Sequence, residues 1–509
     1  MALSVEAAPA PEAARRLERT TWLIFLAIIV PTAATSLAVA VFALPAALVF
    51  VFPLLFFAAW VLHAPVRGLY VLFAAALLIP VQPLLFQDST LDRIPFFLNL
   101  SDPMSLNLPG LGITPAEILM LLVLMGWIAH LALTREQMTT GRLLAPYLIY
   151  AVAILIGELN GLVRGGDFKL SLWELRPQVY GLATFLMATF LLKQRSQLKV
   201  LLVLVLICEL VKGVISLYRY YVTFGRDVGP FEAVQSHEES YLMALFLVIV
   251  VIGILWYRRP LVVLLTVLAP ITFIAIVVNH RRIGIVALGV EIATVAVIAF
   301  MTEPRLRRGL LVAGGVSAVA GAVFVAAFWN QQYGAVAELI RPVKSLVDPS
   351  VRDLASNLYR AAETANLKAT YRTSPLLGIG FGHPYYIFYP QTGVESIDPL
   401  WNIIPHNSLL WVPMRMGVFG LITFWGLIGT AVAEAIWAIR KVHDTFIRLA
   451  VVFALATIFG ELVSAYVDVD LENYRNLIFM GLMLGLINRA PSLARDWKAS
   501  EVTEPPREP

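Results

Sequence analysis

His406 follows Pro405, precedes Asn407 and opens a long apolar run. Imidazole, with an ordinary pKa of about 6.5, is the side chain best suited to take a proton from a hydroxyl near neutral pH. A lone histidine beside an apolar run is more often structural, so its surroundings must decide. Arg281 and Arg282 form a pair at the mouth of two strongly apolar stretches, and Arg360 lies in a polar stretch upstream of His406. Guanidinium groups hold phosphate oxygens in a two-pronged fork, so the pair Arg281 and Arg282 suits a diphosphate. Arg360 on its own reads as an i,i+3 salt bridge to Glu363 on a solvated helix face.

Weaker candidates surround these. They are Arg176 in Trp173-Glu174-Leu175-Arg176-Pro177, then His237, Glu238 and Glu239, and the aromatic run Tyr385 to Tyr389. The rings suit stacking on sugars or a place at a membrane interface. Glu158, Glu209, Lys212, Glu291, Glu434 and Glu461 fall in or near apolar runs, where an ionisable residue is a functional hypothesis by default. Glu209 and Lys212 are spaced to neutralise each other. Gly378-Ile379-Gly380-Phe381-Gly382 has no strand before it and no Lys-Ser after it, so it predicts a turn, not a phosphate loop. No Cys/His cluster has zinc spacing, and Cys208, the single cysteine, excludes an intrachain disulfide. Asp468-Val469-Asp470 is the closest approach to an Asp-x-Asp element, and it falls between two apolar runs. No metal and no cofactor are expected.

The elements that must position these residues follow from composition. Of 509 residues, 59% are hydrophobic and 14% charged, with a mean hydropathy of +0.79. Soluble domains run at roughly 45–50% apolar and about 25% charged. That excludes a soluble enzyme, a secreted disulfide scaffold and a disordered chain. The net charge of +4 is too small and scattered for nucleic acid. The expected fold is all-α, a polytopic membrane protein with about 14 (12–14) transmembrane helices, since a span needs about 20 apolar residues. Windows of that kind lie near 22–40, 44–62, 68–86, 115–133, 144–162, 177–192, 200–217, 240–257, 261–278, 283–301, 310–328, 407–438, 449–466 and 476–488.

With the N-terminus inside, 21 Lys and Arg fall on inner segments against 9 in the short outer ones. The positive-inside bias therefore puts both termini in the cytoplasm. The organisation is an inner tail (1–21), spans 1–11 (22–328), an outer loop (329–405), spans 12–14 (406–488) and a disordered inner tail (489–509). The outer loop is neutral overall, so any chemistry there needs particular residues and not a bulk field. Leu354, Leu358, Leu367 and Tyr371 recur at helical steps and predict a helix over 351–373, capped by Ser350 or Asp353.

Three segments resemble the O-antigen ligase and polymerase superfamily of bacterial membrane glycosyltransferases. They are PHNSLLWVPMRMGVFG at 405–420, YRAAETANLKATYRTSPLLGIGFG at 359–382 and HRRIGIVAL at 280–288. The first is similar to the family's His-Asn element leading into a Gly-x-x-Gly step. The second places Arg360 before a Pro-Leu-Leu-Gly-x-Gly element, as the family does. In the third, Arg282 takes the family Arg position while Arg281 replaces its usual Ser. Thr364 stands where the family often has an aromatic residue. Weaker similarity extends to 173–181 and 229–242.

The resemblance implies a GT-C-like inner-membrane enzyme with a catalytic outer loop. It would move a glycan from an undecaprenyl-diphosphate carrier to a lipid A core sugar or to another lipid-linked repeat, with inversion and without metal. His406, Arg282 and Arg360 would be catalytic. Arg281, Arg176, Glu363, His237 and Glu239 would contact substrate, or Glu363 would orient the His. Two rival classes are a transporter or flippase for lipid-linked sugars, resting on the spanning acids, and a non-catalytic assembly component.

Overall fold

The computed structural model describes residues 28–38, 49–81, 89–100, 112–134, 140–226, 233–236, 238–257, 260–332, 334–391 and 400–503. The expected inner tail 1–21 and parts of the first three windows lie outside them. Among the described residues the chain is helical, without a strand. In chain order the helices are α1 (Ile28–Ala38), α2 (Val51–His63), α3 (Pro65–Leu78), α4 (Pro115–Thr134), α5 (Leu144–Val163), α6 (Phe168–Leu191), α7 (Arg195–Tyr218) and α8 (Glu239–Trp256). There follow α9 (Pro260–Val278), α10 (Arg282–Thr302), α11 (Arg307–Phe328), α12 (Ala335–Val347), α13 (Val351–Thr373), α14 (Ser408–Lys441), α15 (Thr445–Ser464) and α16 (Tyr474–Thr503).

Two compact units divide the chain. One is Met1–Gly68 with Leu121–Arg135, where the Arg67 guanidinium lies 5.1 Å from the Trp60 ring centre. The other is Leu69–Met120 with Glu136–Pro509, and it holds every candidate residue named above. Across the described residues, 10 helices are long and apolar enough to cross a membrane: α4, α5, α7 to α11 and α14 to α16. The bent pair of α2 and α3 makes up to 11.

Of the expected windows, 177–192 falls on α6, which is a full-length helix but a polar one. Lys169, Glu174 and Arg176 dilute its hydropathy, and packing against α16 buries most of its length. The two helices run in the same direction. Tyr180 meets Tyr474 at one end, with ring centres 5.1 Å apart, and Arg489 donates to the Leu192 carbonyl at 2.9 Å at the other. The expected short last window is part of a longer helix, and the tail expected to be disordered from 489 is helical to Thr503.

α14 is broken inside. Gly417 has φ 63° and ψ −158°, a conformation essentially restricted to glycine, and it interrupts the hydrogen-bond ladder. The carbonyls of Met414 and Arg415 instead accept the Ile379 and Gly380 amides at 2.9 and 3.1 Å, while Val418 donates to the Pro375 carbonyl at 2.8 Å. The Gly378–Gly382 return is therefore a turn, as its composition predicts, but one paired to a helix break. A Cβ on Gly380 would fall 2.3 Å from the Gly161 Cα of α5, so this close approach requires glycine.

Candidate functional site

The segment between α11 and α14 is built around α13. Ser350 caps it as the sequence suggests, accepting the Asp353 amide at 3.1 Å while its hydroxyl donates to Asp353 Oδ2 at 3.0 Å. The helix covers the residues its spacing marks out. It buries Asp353, Glu363, Asn366 and Thr370, however, while Leu358 stays 62% exposed. α13 turns its polar stripe inward because that stripe carries the partners of three other segments.

Glu363 is the first such partner. Its side chain is 1% exposed, and both oxygens face His406: Oε2 accepts the His406 amide at 3.0 Å and Oε1 lies 3.2 Å from Nδ1. The Tyr359 ring stands edge-on to the imidazole at 5.5 Å. With Nδ1–H donating to the carboxylate, Nε2 carries the lone pair and becomes the basic atom. Burial pulls the imidazole pKa down, but the Glu363 hydrogen bond and charge, helped by Asp468, outweigh it and raise it above 6.5. The salt bridge expected between Arg360 and Glu363 does not form. Among the described residues Arg360 makes neither an ion pair nor a hydrogen bond, because Glu363 is fully engaged by His406.

The start of α13 holds Arg282. Asn357 Oδ1 accepts from Arg282 Nη2 at 3.2 Å, and Asp353 Oδ1 lies 3.7 Å from Nη1. Asp353 is itself gripped by Arg341 of α12, which reaches it at 2.7, 3.0 and 3.2 Å and also reaches Glu338 at 3.0 Å. Burial opposes the charges of Asp353 and Glu338. The Arg341 contacts, with His280 also on Glu338 at 2.9 Å, hold both carboxyls below their ordinary range.

Arg282, Asn357, Arg360, Glu363, Thr364 and His406 line one cavity of about 600 Å³. α10, α12 and the end of α15 supply apolar walls, with Val286, Leu346 and Val463 among them, and Tyr466 stands at the α15 end. The volume is that of a pocket for a small ligand or a ligand head group. Of the adjacent pair, Arg282 lines this cavity and Arg281, at the N-cap position of α10, does not.

The other expected contacts sit elsewhere. Arg176 pairs with Glu117 at 3.2 Å and Asn99 at 2.7 Å. Glu239 is buried between Lys212 at 2.7 Å and Arg475 at 2.6 Å. Lys212 thus neutralises Glu239 and not Glu209, since Arg475 and Lys212 converge on the α8 carboxylate. Tyr386, Phe388 and Tyr389 are exposed and outside the cavity. His237 lies outside the described residues. Asp468 Oδ1 accepts the Val469 amide and Asp470 Oδ1 accepts from Asn476 at 2.8 Å, so both acids serve the α15–α16 turn.

What holds the site together is a buried pair that the sequence passes over. Glu174 accepts the Gly382 amide at 2.8 Å, the Trp411 indole at 3.0 Å and Arg415 Nε at 2.6 Å. Arg415 also donates to the carbonyls of Gly380, His383 and Ile403 at 3.1, 2.6 and 2.8 Å. Thus α6, the glycine return and the chain leading to His406 meet on one ion pair. The roles of Asp353, Asn357 and Arg341 also escape the sequence reading, although Asp353, Asn357, Arg360 and Thr364 share a face at helical spacing.

Residues 268–425 match the family model described as O-antigen ligase. The matched segment contains Arg282, Arg360, Glu363 and His406, but not Arg176, His237 or Glu239. The match supports the O-antigen ligase and polymerase superfamily for this chain and a ligase or polymerase role in polysaccharide biosynthesis. A search of curated proteins returns no match.

Proposed function

We propose that the cavity between α10, α13 and the start of α14 is the active site of an inverting, metal-independent glycosyltransferase. Its donor is a glycan on undecaprenyl diphosphate, and its acceptor is a sugar hydroxyl of a lipid A core or of another lipid-linked repeat. The chemistry runs on the outer side of the cytoplasmic membrane. One observation carries this reading: a carboxylate-held histidine and two arginines with spare donors line the same cavity.

His406 Nε2 takes the proton of the acceptor hydroxyl as its oxygen attacks the anomeric carbon from the face opposite the leaving group. The bond from that carbon to the diphosphate oxygen breaks, and undecaprenyl diphosphate departs with the electron pair. Arg282 and Arg360 stabilise the charge that develops on it, the electrostatic part of the catalysis. Glu363 keeps the imidazole in the working tautomer and stabilises the imidazolium that forms. Arg281 is not needed at the phosphate, and Arg176, Glu239 and His237 have no assigned step.

His406→Ala and Arg282→Ala each abolish glycan transfer from a polyprenyl-diphosphate donor while the protein remains in the membrane. Wild-type product from both variants would show the mechanism to be wrong. One observation favours the transporter reading: among the described residues, buried Glu209 and Glu291 take no hydrogen bond, and Glu291 packs against Gly460, next to Glu461. Gln at 209, 291 and 461 leaves transfer intact if the enzyme reading holds and stops product formation if the rival holds.

A further inference from the structure

The candidate phosphate-binding arginine stands next to a carboxylate that ought to capture it. Asp353 is almost wholly buried and lies on the same side of α13 as Asn357, within 3.7 Å of Arg282 Nη1. A fully formed pair between them would neutralise Arg282 and turn its donors away from the cavity. Only a long 3.7 Å ion pair forms, without a hydrogen bond, because Arg341 has taken the carboxylate first. Arg341 Nε and Nη2 cover Oδ1 at 3.0 and 2.7 Å, Nε reaches Oδ2 at 3.2 Å, and Ser350 supplies a further donor to Oδ2 at 3.0 Å. Of the five donors on its guanidinium, Arg282 uses one in a hydrogen bond among the described residues, the one to Asn357.

Arg341 is itself fixed from three directions. Its Nη1 donates to the His280 carbonyl at 3.1 Å and to Glu338 at 3.0 Å, and Glu338 is held in turn by His280 Nδ1 at 2.9 Å. His280 sits in the turn before α10 with φ 58°, so the Arg341 anchor and the Arg282 backbone belong to the same corner. Arg341 does not line the cavity; it acts through Asp353.

We infer that Arg341 is a positioning residue that occupies Asp353 so that Arg282 stays uncommitted and available to an anionic diphosphate group. This rests on the donor reading above. In chemical terms, two guanidiniums compete for one buried carboxylate, and the geometry of the fork gives it to Arg341. A diphosphate then meets Arg282 with most of its donors unspent. Without Arg341, Asp353 would face Arg282 with no other guanidinium so close, and the diphosphate would have to displace Asp353.

The test uses the full chain purified in detergent, with farnesyl diphosphate as the probe and binding measured by calorimetry beside a melting curve. Arg341→Gln weakens binding about tenfold, and adding Asp353→Asn restores it to within about threefold of wild type, because the competing charge is gone. The melting temperature of the double variant stays as low as that of Arg341→Gln, since the α12 anchor is still missing. A purely structural role predicts no such rescue, so a double variant as weak as the single overturns the inference. Unchanged binding by Arg341→Gln does the same. If Arg341→Gln does not reach the membrane, Asp353→Asn alone decides: equal or tighter binding supports the inference, and weaker binding overturns it. Wild-type protein that takes up no farnesyl diphosphate sinks the donor reading itself, an outcome distinct from the others.

Discussion

Both carboxylate oxygens of Glu363 reach His406, with the Tyr359 hydroxyl also donating to Oε1 at 3.4 Å, and that arrangement makes the pH behaviour of His406 the sharpest readout of the site. The imidazole works as a base only when neutral, and Glu363 holds its pKa above 6.5. Transfer therefore falls as pH drops through that raised value. In Glu363→Gln the charge is gone, so the acidic limb of the pH–rate profile moves to lower pH while the plateau rate drops, by about 10²–10⁴-fold at most, the usual worth of a base. A limb that does not move would mean Glu363 has no hold on the base. The linked stability has the opposite dependence: attraction between imidazolium and carboxylate is fully present below the ordinary value and is lost as pH rises through the raised one. His406 and Arg282 are legible in the sequence because their types are unusual beside apolar runs, and Arg360 through the resemblance its segment carries. The choice between Arg281 and Arg282 is not, since the backbone turns from extended at Arg281 into the helix at Arg282 and only the packed corner tells them apart.

Two elements that look unrelated in sequence, the glycine return at 378–382 and the helix from Ser408 to Lys441, are one structural unit. Carbonyls freed at the Gly417 break are satisfied by amides of the return, which is how irregular backbone survives inside an apolar bundle. A Cβ at Gly417 would sit 2.2 Å from the Leu376 backbone, at a φ that side chains rarely adopt. Gly417→Ala should therefore cost about 2–4 kcal/mol, from strain and overpacking together. The check is a lower melting temperature in detergent, with transfer lost in parallel; an unchanged melt would mean the break is not needed. The sequence predicts the helix over 351–373 and offers Ser350 as one of two caps, because spacing and capping are local; the structure caps it with Ser350. It does not show that Leu354 and Leu358 of this helix face outward while Leu367 is buried, nor that α14 is interrupted, because both depend on partners in other segments.

At the scale of the molecule, one end of the larger unit gathers the turn before α10, α13, the start of α14 and the end of α15 around the cavity. The proposed function needs that end on the outer side of the membrane, the side that the bias of Lys and Arg predicts for it. In a Cys208→Ser background, an impermeant maleimide should label Lys368→Cys of α13 in intact cells and leave Lys441→Cys unlabelled until the cells are opened. The reverse pattern would turn the protein over and defeat the outer-face reading. The all-helical character is legible from composition, whereas α6 is a long helix that composition undersells, since distant segments supply the partners for its polar residues, Arg415 and Trp411 for Glu174 and Glu117 for Arg176. One consequence of α13 reaches past these tests. The same rigid rod touches the arginine corner at Asn357 and the base at Glu363, six residues apart, so a rise of about 9 Å sets the gauge between them. A single residue inserted between those two contacts would swing one jaw of the caliper about 100° out of the cavity.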